Sequence, residues 1–292
     1  LGRGEHYPVD LKMPKSEAIP PGFVYIPPGR FVFGTQVDEI VRRTFLTTVP
    51  SHQVITDSYV IAKHETTYRE WIEYLDTLSP ADLAKHTASD GKGGLLGSAN
   101  IVKLADGKWQ LSLHPVSATF VLKSGESLIY GGRQINEKQD WYNLPAGGMD
   151  RDEAIEYASW LAKTGRVPGA RICTDSEWER AARGADEREF PHGNDLDGIE
   201  ANIDESQAKD AKLSGPDEVG LHQRSRSPFG LDDMAGNVNE WVLSSLDPSE
   251  AVIRGGGFYY APMTARSTNR SVLSSNIRDA VIGIRICAKI TL

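Results

Sequence analysis

Seven histidines and two cysteines are the side chains in this 292-residue sequence best suited to holding a metal or attacking an electrophile. Their spacing excludes most such chemistry. No two histidines stand four residues apart, so no single helix face offers a pair of imidazoles to a metal. His64-Glu65 is followed by Thr66-Thr67-Tyr68, which breaks the zinc-protease pattern. His64 reads instead as a residue that packs or caps near a helix start. Cys173 and Cys287 make neither a Cys-x-x-Cys pair nor a zinc spacing. A Gly-x-Ser-x-Gly nucleophile elbow is absent. Gly91-Lys92-Gly93-Gly94 lacks the Gly-Lys-Ser/Thr ending of a phosphate loop and reads as a flexible loop.

Charge narrows the partners. Forty acidic residues against 32 basic ones give a net charge of -8. The basic residues are scattered, with Arg42-Arg43 the longest local cluster. Nucleic acid and anionic membranes both require clustered Lys and Arg, so neither is an expected partner. No apolar run approaches the roughly 18 residues of a membrane helix, and membrane insertion is not expected. The sequence carries no secretory signal. It starts at Leu1 rather than Met, which suggests a fragment of a longer protein.

The elements that must position any site are legible in part. Residues 1–20 read as a linker or the end of a preceding domain, with a strand-like alternation from Tyr7 and a connector punctuated by Pro14, Pro20 and Pro21. A strand pair is expected at Phe23–Ile26 and Arg30–Gly34, reversing at Pro27-Pro28-Gly29, and another strand at Ser58–Lys63. Three helices share one start signal: Thr67 with Glu70, Asp150 with Glu153, and Thr174 with Glu177. In each, a short oxygen side chain can accept from a first-turn amide while the Glu reaches back to the cap amide. Trp71, Ile72 and Leu75 mark the buried face of the first helix; Ala154, Tyr157, Ala158 and Leu161 mark that of the second. The third stops at Gly184. Between the first two lies an insertion, near 80–140, with two hairpin signals: Ile101–Leu104 with Trp109–Leu113, and Thr119–Lys123 with Ser127–Tyr130. From 184 to 292 Gly, Pro, Asn, Asp and Ser are dense and apolar runs short. A loop-rich half of that length needs a function or a metal to hold it.

Five ordered segments carry a resemblance. They are Arg171-Ile-Cys-Thr-Asp-Ser-Glu-Trp-Glu, Phe190-Pro-His-Gly-Asn, Ala201-Asn-Ile, Phe229-Gly-Leu-Asp-Asp-Met-Ala-Gly-Asn-Val-Asn-Glu-Trp, and Ile253-Arg-Gly-Gly-Gly-Phe with a downstream Gly283-Ile-Arg. Together they resemble the formylglycine-generating-enzyme/sulfatase-modifying-factor family over about residues 22 to 290. The resemblance implies an α+β, C-type-lectin-like fold with little regular secondary structure, occupying residues 21–292. One departure decides the chemistry. The family's enzymes place one catalytic cysteine a few residues after Arg-Gly-Gly-Ser-Trp and a second five residues further on. Here Phe258 to Ser267 contains no cysteine, and Gly257 replaces the serine. A thiolate copper site needs thiols, so formylglycine generation is not expected. The related ergothioneine-type sulfoxide synthases hold iron with histidines of a helical bundle that this sequence lacks.

The resemblance also implies ligands and partners. Cys173 stands where the family has a proline, and the family's terminal strand carries a cysteine one position from Cys287. The two are thereby implied as a disulfide, with a pair of buried free thiols as the alternative. A bridge of that span contributes about 4 kcal/mol in the chain-entropy account. Structural calcium is implied at Asp233 and Glu240 by side chain and at Gly236 and Val238 by carbonyl, with a second site at Asn202, Ile203 and Asp210. Calcium takes six to eight oxygens; the plainer role of Asp233 and Glu240 is as solvated or capping carboxylates. The segment after Arg254-Gly-Gly is implied as a recognition surface formed by Phe258, Tyr259, Tyr260, Arg266 and Asn269. Phe258 also suits a core position, and Arg270 a loop-bracing one. The expected function is a non-enzymatic ligand-recognition or sensor domain of a bacterial signalling protein, cytoplasmic or of the cell envelope. Its ligand would be a peptide, a protein or a small polar molecule, and its upstream neighbour a domain such as a protein kinase. Two alternatives stay open: a metal-dependent oxidoreductase of the same fold, and the variable ligand-binding protein of a diversity-generating retroelement.

Overall fold

The structure is a computed structural model that describes residues 13–87 and 97–290. The first strand-like stretch near Tyr7 and the glycine-rich loop at Gly91 lie outside the described residues. The elements run β1 (Phe23–Ile26), β2 (Gly29–Phe33), α1 (Glu39–Val41), β3 (His52–Thr56), β4 (Tyr59–Ala62), α2 (Tyr68–Leu75), α3 (Pro80–Thr87), β5 (Ser98–Lys103), β6 (Trp109–His114), β7 (Phe120–Lys123), β8 (Leu128–Ile129), β9 (Lys138–Gln139), α4 (Arg151–Lys163), β10 (Ala170–Ile172), α5 (Asp175–Arg183), β11 (Asn239–Leu243), β12 (Ala251–Arg254), β13 (Ser271–Leu273), β14 (Ile282–Ile284) and β15 (Ile286–Lys289). No helix among the described residues is long and apolar enough to cross a membrane.

Two four-stranded sheets organise the domain. One has the order β1-β4-β15-β10, the other β13-β12-β11-β14. Successive side chains of a strand point to opposite faces, and the first sheet uses both. Tyr25, Val60, Ile286 and Ala288 pack with α2 and α4 in the larger core. Ile26, Tyr59, Ile61 and Cys287 pack with Trp178, Ala181 and Ala182 of α5 in a second core. The chain passes from the second sheet to the first between β14 and β15, and Arg285 sits at that crossing, 1% exposed.

Helices α2, α4 and α5 begin as the sequence predicts. Each has a complete capping box, at Thr67/Glu70, Asp150/Glu153 and Thr174/Glu177. Gly184 ends α5 with φ +77°, a conformation that only glycine adopts without strain. Trp71, Tyr74, Tyr157 and Trp160 join α2 to α4 through ring contacts of 5.2–5.8 Å.

Strand partners differ from the expected hairpins in two places. β1 and β2 do not pair with each other: β1 pairs with β4, and β2 with β3. Pro27 and Pro28 have no N–H to give a ladder, and the chain leaves one sheet for another there. β5 and β6 form the expected hairpin. β7, however, joins β6, while β8 pairs with β9.

Candidate functional site

The segment after the Arg254-Gly-Gly-Gly turn divides into a buried part and two separate surface parts. Phe258 is 1% exposed and lies in the larger core. Tyr259 is exposed and meets the half-buried Tyr260 edge-to-face at 6.1 Å. Burial, with the Asp279 charge adding, pushes the Tyr260 phenol up to about 12, so it remains a neutral hydroxyl at physiological pH. Gly257 takes the serine position for a steric reason: a Cβ there would stand 2.4 Å from Val281 Cγ2. Asn269 is a correction to the expected contact surface. It is buried, and its Nδ2 donates to the Thr264 carbonyl at 2.8 Å. Arg270 is also internal, between Asp175 and Glu250.

Arg266 faces elsewhere, into a cavity of about 270 Å³. Its guanidinium pairs with Glu189 at 3.0 Å. Gln36, Arg183, Glu187 and Thr268 also line this space, with Val32 and Val37 as apolar walls; Tyr259 and Tyr260 do not reach it. The walls are fastened from behind by one buried carboxylate. Glu179, 0% exposed, accepts from the Gly34 amide at 2.8 Å, meets Arg183 at 3.1 Å and binds Arg254 at 2.5 Å. Arg254 in turn donates to the carbonyls of Thr268 and Asn269. Burial raises the Glu179 carboxyl, against the pull of Arg254 and Arg183. A fourth wall is set by the Ser267 amide donating to the Glu189 carbonyl at 2.7 Å. The resemblance marks Arg266 but not Arg183, Glu187 or Glu189. Their only sequence signal is the density of charge between 179 and 189.

The residues expected to bind calcium are built into a different network. Both carboxylate oxygens of Glu240 are occupied: Arg285 Nη2 donates to Oε1 at 2.7 Å, and Trp178 Nε1 donates to Oε2 at 2.5 Å. A guanidinium thus stands where a cation would bind. Arg285 also donates to the carbonyls of Lys63 and Asp232. Asp233 accepts from the Gly220 amide through Oδ2, while its buried Oδ1 has no hydrogen-bond partner. That lone oxygen is the one feature of the set suited to a cation. Asn202 is turned to Asn237, donating to its Oδ1 at 3.2 Å and accepting from its amide at 2.8 Å. The Ile203 carbonyl accepts from Ser206, and Asp210 lies at the surface accepting from the Lys212 amide. Gly236 donates to the Gly255 carbonyl, and Val238 is a core residue. Among the described residues no three His, Cys, Asp or Glu side chains are grouped to hold a metal. Arg285 already neutralises Glu240, which stands against a calcium ion on that carboxylate.

Buried polar side chains hold the loop-rich half. Asn237 is 0% exposed and has φ +61°. Its Nδ2 donates to Glu65 and to the Asp217 carbonyl, and its Oδ1 accepts from Asn202 and the Asp217 amide. Asp217 itself binds Arg133 at 2.5 Å and His222 at 2.9 Å. Burial opposes the charge on both His222 and Asp217. Their mutual hydrogen bond, together with the charges of Asp217 and Asp233 on His222 and of Arg133 and His222 on Asp217, outweighs it, raising the His222 pKa and lowering that of Asp217. His64 packs beside this region, 3.0 Å from Asp232. Cys173 and Cys287 are disulfide-bonded, with sulfurs 2.07 Å apart. The bridge links the start of α5 to β15 inside the second core.

Two four-stranded sheets, short helices and long, internally hydrogen-bonded loops define an α+β domain of the C-type-lectin-like kind. The chain belongs to the sulfatase-modifying factor enzyme 1-like domain family, whose pattern matches residues 10–290. It is similar to the serine/threonine-protein kinase pkn1 of Chlamydia caviae, at 25% identity over 75% of this chain and 27% of the kinase. The chain thus spans about a quarter of that relative's length. The formylglycine-generating enzyme of Mycobacterium tuberculosis is 22% identical over 91% of this chain and 87% of that protein. Among solved structures, PvdO from Pseudomonas aeruginosa superposes with a TM-score of 0.62 at 21% identity, covering 92% of this chain and 94% of the other.

Proposed function

We propose that this chain is a non-enzymatic recognition module of a larger bacterial signalling protein. One observation carries the reading. The sequence has two thiols, and both are consumed in one disulfide within the second core. The segment after the glycine turn offers aromatic rings, hydroxyls and a guanidinium, which are groups that bind. Chemistry by thiolate or thiolate-held copper has no group to start from. The likeness to a bacterial protein kinase over a quarter of its length supports attachment to a signalling partner domain. The experiment supplies the purified chain with copper(I), oxygen and a cysteine-bearing sulfatase peptide. No conversion of cysteine to formylglycine is expected by mass spectrometry, and turnover would overturn the reading. Stoichiometric iron or copper in the purified protein would favour the oxidoreductase alternative.

A further inference from the structure

The cavity beside Arg266 is charged but balanced. Arg183 and Arg266 line it, and so do Glu187 and Glu189. Directly behind, Arg254 is matched by Glu179. Two guanidiniums and two carboxylates therefore line it, and the pair behind is balanced as well. Moving a net charge into a partly desolvated site without net opposite charge is costly. A ligand with one positive and one negative group, held apart, exchanges ion pairs without adding charge. The positions suit such a ligand. Arg266 spends one edge of its five-donor fork on Glu189. Glu187 is exposed, and its hydrogen bond here is from the neutral amide of Gln36 at 3.0 Å.

Size sets a second limit. A cavity of about 270 Å³ lies just under the roughly 300–1,000 Å³ of sites for drug-sized ligands. Only a small molecule fits whole. Val32 and Val37 supply a short apolar wall, and Thr268 a hydroxyl. The walls are rigid for a stated reason: Glu179 and Arg254 tie the end of β2, the end of α5 and the turn at 268–269 into one buried network. A site supported in this way is preorganised, which lowers the ordering cost of binding.

We propose that this cavity binds a free α-amino acid with a small apolar side chain, its carboxylate on Arg266 and its ammonium on Glu187 and Glu189. The proposal rests on the reading of the chain as a binding module, but it is tested separately from the absence of turnover.

The test is isothermal titration of the purified chain with L-valine, L-alanine and L-serine. L-valine methyl ester and N-acetyl-L-valine serve as probes that each lack one charge. One equivalent of L-valine is expected to bind, and each blocked form to bind at least about tenfold more weakly, as for loss of a charge-assisted contact. Arg266→Gln and Glu187→Gln are each expected to weaken L-valine by about tenfold or more while melting as the parent does. Glu187 is exposed, so its variant tests the site even where the Arg266 variant unfolds. Equal binding of the ester would identify a simple cation site, and equal binding of the acetyl form a simple anion site; either overturns the proposal. So does the absence of heat with all three amino acids. In those cases a negative formylglycine assay would still leave the non-enzymatic reading standing.

Discussion

Two charged regions of this domain use the same residue types to opposite ends. At the crossing between the sheets, Arg285 and Glu240 are 1% and 0% exposed, and every nitrogen of the guanidinium has a carboxylate or carbonyl partner. Beside α5, the Arg266–Glu189 pair has side chains 24% and 37% exposed. The first pair has no donor left to give, so it can hold two sheets and the 232–240 loop but cannot recognise anything. The second keeps donors at the edge of a cavity. Burial, rather than residue identity, separates a structural charge from a binding charge. That separation also explains why a carboxylate implied as a metal ligand, Glu240, serves here as the counter-ion of an arginine.

The largest effect should come from breaking the inner pair. Arg285→Met leaves Glu240 buried without a cation, beside Glu65, whose carboxyl burial already pushes well above the usual range. Removing one partner of a buried ion pair costs about 3–5 kcal/mol. Urea denaturation should therefore show a loss of that size. A loss under about 1 kcal/mol would place the inner pair with surface pairs and remove the contrast.

The disulfide comes next. It lies in the second core, 114 residues apart in sequence, and ties α5 to β15. Replacing both Cys173 and Cys287 by Ser should cost about 2–4 kcal/mol, mostly by freeing the unfolded chain. Because α5 carries Glu179 and Arg183, the double variant also asks whether the outer cavity depends on the inner core. Unchanged stability would mean that packing alone positions α5.

A smaller effect is expected at the α5 cap. The Thr174 side chain accepts from the Glu177 amide, and the Thr174 amide donates to the Glu177 carboxylate at 2.9 Å. Thr174→Ala should cost about 1 kcal/mol by thermal or urea unfolding. Loss of several kcal/mol would show that the cap supports the buried Glu179 network and not only the helix end.

This cap was legible in the sequence, as were the caps of α2 and α4, because a capping box is written within four residues. The burial of Trp71, Ala154 and Tyr157 was legible for the same reason: helical period is local. Strand partners were not. Nothing near Gly29 states that β2 will pair with residues 52–56, and nothing near Ser127 that β8 will pair with β9. Those choices depend on which sheet edge remains open once the core has formed. The site divides in the same way. Arg266 stood in a segment marked by the Arg-Gly-Gly turn. Glu189 meets it directly across 77 residues, Arg183 is held in place by Glu179, four residues away, and Glu179 reaches Arg254 across 75, so only long-range contacts bring the set together. The resemblance implies Asn269 at the recognition surface, but the residue is buried and its amide closes a turn on Thr264, a contact that the segment's position after the glycine turn does not specify.

The smallest effect belongs to the outer pair, and it is the one that sharpens the contrast. Arg266 and Glu189 are 3.0 Å apart and both meet solvent. Exposed pairs gain little in water, because the ordering of two long side chains offsets the attraction and salt screens what remains. A double-mutant cycle of Arg266→Gln with Glu189→Gln should give a coupling of about 0.5 kcal/mol or less, shrinking further as salt is raised. The cycle removes the lost packing of each side chain, so it reads the ion pair alone. A coupling of about 3 kcal/mol that persists in high salt would mean that the pair is desolvated and fixed, like Arg285 with Glu240. Arg266 would then be bracing the 266–270 turn, with no donors to spare for a ligand. A coupling near zero leaves Arg266 able to change partners at little cost to the fold, which is the property a recognition residue needs.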